Sequence, residues 1–230
     1  MTIEQSLYKG QLIRLAVIDH ENDAPIESRW THDSDYLRLT GAAPALPLSP
    51  ERVKKKYEAL EKAMEENKNI FHFAIRRRAN QPTEAVSPAE VASPAEVASP
   101  AEVASPAEVA ASHAGASAQI DRLVGFTRLE WISWTNGYAT LRLAIGSPSD
   151  RRKGYGSEAL RLILRFAFDE LNLHRVSVNV PAYNTAALAF LQKHGFVEEI
   201  RRRQALQVDG QVWDALGLGL LRVEWQVWHA

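Results

Sequence analysis

Ile145-Gly146-Ser147-Pro148-Ser149-Asp150-Arg151-Arg152-Lys153-Gly154-Tyr155-Gly156 is the stretch on which the reading of this chain turns. An alternating, strand-like run from Tyr138 to Ile145 enters it, and the strongest helical pattern in the chain, Gly154 to Leu171, leaves it. Glycines between a strand and a helix let the backbone approach a ligand and expose N–H groups. The helix N-terminus adds partial positive charge, and Arg151, Arg152 and Lys153 add full charges. Together these features make an anion site suited to a pyrophosphate.

Working outward, Arg175 to Val180 reads as a strand. Asn184 to His194 reads as a helix, with Asn184 as its N-cap and Gly195 just beyond its end. Residues 196–208 and 216–228 read as two final strands joined through a turn at Asp209-Gly210. Upstream, Leu12 to Leu15 is a first strand, and Asp19 to Arg29 and Pro50 to Glu66 are helices. Within the long helix, Glu158, Arg161, Arg165 and Asp169 fall three or four apart and predict one solvated stripe. The order strand, Gly-rich loop, long helix, strand, capped helix, strand predicts an α/β fold.

A tandem repeat, Ser-Pro-Ala-Glu-Val-Ala, fills residues 87–110. A proline every six residues blocks a continuous helix, and the small alanines bury too little area to offset the entropy of ordering. The composition predicts a disordered insertion over residues 79–119, a passive linker or a docking or modification segment. Strand-like runs flank it, Ile70 to Ile75 and Leu123 to Leu129, so its removal leaves a plausible β-hairpin. The remainder is expected to be one domain spanning 1–230.

With 230 residues and 46% hydrophobic content, the chain can bury a sizeable core. A formal net charge of −1 gives no argument for bulk attraction to nucleic acid or to an anionic membrane. The absence of cysteine removes disulfides, thiolate nucleophiles and zinc–thiolate sites, and no metal is expected. No signal-like segment or membrane-length apolar run is present, so the cytoplasm is the default compartment, with the nucleus not excluded.

The segment from Ile145 to Gly156 resembles the acetyl-CoA loop of GNAT acetyltransferases, whose pattern is Arg/Gln-x-x-Gly-x-Gly/Ala after a splayed strand. Asn184 to Phe196 is similar to that family's Asn-led helix ending in Gly-Phe, and Leu173-His174-Arg175-Val176 to the lead-in of its fifth strand. Gly10 to Leu15 resembles the branch containing ribosomal-protein N-terminal and spermidine acetyltransferases. The resemblance implies a mixed, mostly antiparallel sheet with helices on both faces. It implies acetyl transfer from acetyl-CoA to a primary amine: a protein N-terminus, a polyamine or another small amine. Transfer would be direct, in a ternary complex, because no cysteine can carry the acetyl group. Backbone groups of Leu143, Ala144 and Ile145 would pair with the pantetheine arm. Arg151, Arg152, Lys153, Gly154, Tyr155, Gly156 and Ser157 would form the pyrophosphate loop. Asn184 and Phe190 would lie beside the pantetheine, and Glu130, near a bulge facing the cleft, would be the base.

The chain departs from the family pattern at three places. Arg152 stands where the loop often has its first glycine, Leu191 where some members have a tyrosine acid, and Ala187 where the ribosomal-protein branch often has serine. Two other classes stay open on the sequence: a non-catalytic acyl-CoA-binding module, and a dinucleotide-binding protein using Gly154-x-Gly156-x-x-Ala159. Trp131, Trp134 and Tyr138 either wall a substrate cleft or are half-exposed sheet aromatics. His174 reads as a packed strand-start residue, and Arg76–Arg78 and Arg201–Arg203 as solvated strand ends. The oligomeric state, a dimer included, is left open.

Overall fold

A computed structural model of the chain describes residues 7–41, 45–67, 69–78 and 121–229. Among the described residues, seven strands form one sheet in the order β1-β2-β3-β4-β5-β7-β6. They are β1 Ile13–Ala16, β2 Phe71–Arg77, β3 Leu123–Ser133, β4 Tyr138–Ile145, β5 Arg175–Pro181, β6 Val197–Val208 and β7 Gln211–Leu221. The β4–β5 pair is parallel and the other five are antiparallel. A doubly wound dinucleotide fold needs a mostly parallel sheet, so this topology removes the dinucleotide reading of the glycine motif.

Side chains alternate across the pleat, and each face of the sheet buries its own apolar set. One face packs on the helix α4 (Tyr155–Arg165), with Ile13, Leu15, Ile75 and Leu129 against Leu160 and Ile163. The helix α5 (Thr185–Lys193) joins this layer through Leu191. The other face carries Ala74, Leu123 and Phe126 against Ala24 of α1 (His20–Trp30) and Val53 and Tyr57 of α3 (Pro50–Asn67). A short helix α2 (Ser34–Leu39), which the sequence reading missed, follows α1 and is capped by the Asp33 side chain.

The last strand departs from expectation. Residues 216–228 alternate apolar and polar groups, yet β7 ends at Leu221 and Arg222–His229 is a helix, α6. The Glu224 carboxylate accepts the Leu221 N–H, and Arg222 hydrogen-bonds Asn172. Beyond Leu221, β7 has lost its neighbour, because β5 begins at Arg175 opposite that residue. The helix buries Trp225 against Phe168, with ring centroids 5.4 Å apart, and leaves Val223 and Val227 exposed.

The insertion expected over 79–119 lies outside the described residues. Its flanking strands pair directly: β2 and β3 run antiparallel from Phe71↔Leu129 to Arg76↔Leu123. The Arg77 N–H donates to the Arg122 carbonyl at 2.9 Å. Replacing residues 82–118 with a short turn should therefore keep unfolding cooperative, with Tm within about 5 °C of the parent, because loop length adds little closure entropy. Thermal unfolding of the shortened protein checks this; loss of a single cooperative transition would show that the replaced residues belong to the folded unit.

Candidate active site

β4 and β5 pair only over Tyr138–Thr140 and Arg175–Ser177, and then part. Each keeps its other partner beyond that point, β3 for β4 and β7 for β5. The Gly146 N–H donates to Val124, and hydrogen-bonded positions alternate along an antiparallel pair. Ala144 and Arg142 therefore face β3, while the N–H and C=O groups of Leu143 and Ile145 face the opening. A cavity of about 620 Å³ occupies the gap. Leu143, Ala144, Asn184, Ala187, Phe190 and Leu191 are on its wall.

The loop after β4 is held by charge. A short 3₁₀ turn, Pro148–Asp150, buries the Asp150 carboxylate, which takes two bonds from Arg122 at 2.9 and 2.6 Å. Arg151 donates to the Gly146 carbonyl at 3.3 Å. Gly154 has φ +84°, a left-handed conformation that glycine adopts at little steric cost. Arg152 has φ +61° without that freedom, at the position where the related loops often have glycine. Gly156 is not left-handed; a Cβ there would sit 3.8 Å from Phe190 and 3.9 Å from Ile145. The loop thus brings Gly156, Ile145 and Phe190 together at the edge of the gap. Arg152, Lys153 and Ser157 are exposed, and Tyr155 is buried in the first turn of α4.

Asn184 caps α5 by accepting the Ala187 N–H at 3.1 Å, while its amide donates to the Leu39 carbonyl at 3.1 Å. The Tyr183 hydroxyl donates to the Arg38 carbonyl at 2.8 Å. One end of the Asn184 side chain thus caps α5 while the other holds α2 across the opening.

Glu158 corrects the expected solvated stripe. Its carboxylate is buried and accepts the backbone N–H groups of Gln11, Leu12 and Ile13, the last two at 2.7 and 2.8 Å. It joins the start of β1 to the first turn of α4. Arg76 corrects the expected solvated run: its Nη2 donates to both carboxylate oxygens of fully buried Asp23, at 3.0 and 2.8 Å. Burial raises the Asp23 pKa, against hydrogen bonding and the attraction of Arg76.

On the α1/α3 side, Glu27, Lys56, Arg128 and Arg142 are on the cavity wall, and Glu130, which is not itself on the wall, pairs with both arginines; of this charged group the sequence pointed only to Glu130. Glu130 is buried at the bulge before Ser133, where Trp131 has φ +55°. Its carboxylate meets Arg128 at 2.7 Å and the Arg142 Nε. Glu27 meets Lys56 at 2.6 Å and the Tyr57 hydroxyl. His72 stands on the same wall; burial, with Arg128 and Lys56 nearby, lowers its pKa to about 3 and keeps the ring neutral. Trp131, Trp134 and Tyr138 are exposed and outside the cavity wall.

An acetyltransferase (GNAT) domain model matches residues 13–197, and the chain belongs to the GNAT acetyltransferase family. It is 31% identical over 94 residues to an uncharacterized N-acetyltransferase of Bacillus subtilis, YokL, covering 41% of this chain and 52% of that one. It is 35% identical over 74 residues to the putative ribosomal N-acetyltransferase YdaF of the same organism, covering 32% and 40%. The matched segments span about half the length of these curated relatives. In fold, the chain is similar to a Vibrio cholerae spermidine N-acetyltransferase crystallised with CoA and spermine, at TM-score 0.67 and 16% identity over 94% of this chain and 99% of that one. A ribosomal L7/L12 alpha-N-protein acetyltransferase in complex with CoA gives TM-score 0.66 and 13% identity over 92% and 95%. Among the described residues, no helix is long and apolar enough to cross a membrane.

Removing the Glu158 carboxylate leaves three backbone donors short of their partner next to the loop. Glu158→Ala should cost about 2–4 kcal/mol, and Glu158→Gln less, since one oxygen acceptor remains. Denaturant unfolding of both variants measures the difference. Equal stability of all three proteins would show that the β1–α4 junction does not depend on this carboxylate.

Proposed function

We propose that the chain is one N-acetyltransferase domain, interrupted by the repeat-bearing insertion, that transfers acetyl from acetyl-CoA to a primary amine. The observation that carries this reading is the unpaired edge of β4 beside a glycine loop at a helix N-terminus. An extended pantetheine arm can add to the N–H and C=O groups of Leu143 and Ile145 as a strand would. Amides from Arg151 to Gly156 and the start of α4 suit the pyrophosphate, with Ser157 at the end of the loop. Phe190 packs beside the arm. Asn184 supports it indirectly, by holding α2 and α5. In the transfer, the amine nitrogen bonds to the acetyl carbonyl carbon, the carbon–sulfur bond breaks, and the CoA thiolate takes a proton from water.

The contact should depend on backbone approach more than on side-chain charge. Gly154→Val forces a branched residue into a left-handed conformation, and Gly156→Val fills the edge beside Phe190 and Ile145. Each should weaken CoA binding at least tenfold. Arg152→Ala should cost about 1 kcal/mol or less, because an exposed arginine contributes a screened charge. Calorimetric titration with CoA and NADH decides it: NADH should give no comparable binding, and binding of NADH but not CoA would sink the proposal. CoA binding without thiol release from acetyl-CoA across an amine panel would instead favour a non-catalytic acyl-CoA module, a reading consistent with the missing hydroxyls at Ala187 and Leu191.

Glu130 was expected to take the amine proton. With both oxygens engaged by guanidiniums, we assign it a positioning role, and the proton leaves to water. Glu130→Gln should raise the acceptor KM severalfold while the acidic limb of the kcat–pH profile persists. Disappearance of that limb would restore Glu130 as the base.

A further inference from the structure

The charged side chains on the cavity wall are unbalanced. Lys56, Arg128, Arg142 and Arg202 are cationic, and Glu27 is the carboxylate among them. Glu27 is neutralised by Lys56 and hydrogen-bonded by Tyr57. Arg128 and Arg142, which face each other across β3 and β4, share the single carboxylate of Glu130. Two guanidiniums present ten N–H donors to that one carboxylate. The Arg128 Nε is buried and has no hydrogen-bond partner. A buried donor without a partner is costly unless something that binds the cavity satisfies it. The Arg142 side chain is 57% exposed and can turn its free nitrogens to a ligand. Burial lowers the Arg128 pKa, so desolvation already weighs on that cation, and an anion would relieve it.

Resting on the acetyltransferase reading above, we propose that the acceptor amine carries a carboxylate near its reacting nitrogen, that Arg128 and Arg142 bind that carboxylate, and that polyamines are disfavoured. A polyamine brings several positive charges to a wall whose carboxylates are already paired. An acidic amine brings one anion to guanidinium donors that outnumber the two oxygens of Glu130. Planar guanidiniums match a carboxylate through parallel N–H bonds, which fixes the rest of the acceptor relative to the wall. The opening between β4 and β5 joins the same cavity, so an acceptor anchored at these arginines has a continuous path to the acetyl position. The carboxylate can belong to a free amino acid or to an acidic residue next to a peptide N-terminus.

The test uses the full chain, with CoA binding measured first and acceptor kinetics second. Acceptors are glutamate, the amidated peptides Ala-Glu-Ala, Ala-Gln-Ala and Ala-Lys-Ala, and spermidine. At least one acidic acceptor should exceed the Gln peptide, the Lys peptide and spermidine by about tenfold or more in kcat/KM, the usual scale of a charge-assisted pair. Preference for glutamate assigns a free amino acid, and preference for Ala-Glu-Ala a protein N-terminus. Arg142→Glu, at a half-exposed position, should erase the acidic preference while leaving CoA binding within about twofold; Arg128→Gln, checked for folding by thermal melting, should do the same. Absence of CoA binding defeats the acetyltransferase reading itself. Intact CoA binding with spermidine preferred, or with no acidic acceptor ahead of its neutral counterpart, overturns the anion site alone.

Discussion

The parting of β4 from β5 after Thr140 and Ser177 is the constraint on which the rest of the molecule depends. A strand can leave its neighbour inside a sheet only if its exposed backbone groups find water or a ligand. Here each strand keeps a ladder on its other side, so separation costs each strand one edge and not both. The space between them is propped from below by Leu160 of α4 and Leu191 of α5, both buried. It is spanned from above by α2, tied through Tyr183 and Asn184 to the start of α5. The cavity is therefore a consequence of topology, and its side chains act on an opening that the backbone already provides.

Buried carboxylates hold the parts of this frame together. Asp150 ties the loop to the start of β3 through Arg122; Asp23 ties α1 to β2 through Arg76; Glu158 ties β1 to α4 through backbone N–H groups. Such pairs contribute little net stability beside well-packed apolar groups, but removing one partner leaves a buried charge uncompensated. Their value here is register. Each joins segments far apart in the chain, and all three lie near the loop or the face that carries the cavity.

What was legible in the sequence was what local pattern controls. Alternation marked β4, β5 and the two halves of the hairpin around the repeats, and the Asn184 and Gly195 signals bounded α5. The glycine loop was recognisable because strand, glycine and helix lie within a dozen residues. The failures were cases where a distant partner decides. Six residues of α2 give too short a pattern to register. The alternation from Leu221 onward was real, but with no neighbouring strand left, the Glu224 cap and Trp225 packing on Phe168 make it a helix. Glu158 fits a helical stripe by spacing; only the return of residues 11–13 over that turn buries it. Arg128, Arg142 and His72 carry no motif, because they sit on three different strands and meet only through sheet order.

The lack of hydroxyls at Ala187 and Leu191 shifts attention to the wall of the cavity. In the proposed transfer a neutral amine is the nucleophile, and an ammonium must lose its proton first. Nearby positive charge disfavours the protonated form and lowers the amine pKa. A wall bearing Lys56, Arg128, Arg142 and Arg202 would thus free the lone pair without a dedicated base. The same field would favour the departing thiolate, an anion, without a dedicated acid. Neutral His72 adds a polar ring to this wall without adding charge. The price of that field is that an amine alone would be repelled, and a carboxylate on the acceptor removes the repulsion by pairing with the arginines. In the proposed chemistry, pairing with that carboxylate cancels part of the field, so only the residual positive charge of the wall favours the neutral amine and the proton leaves to water.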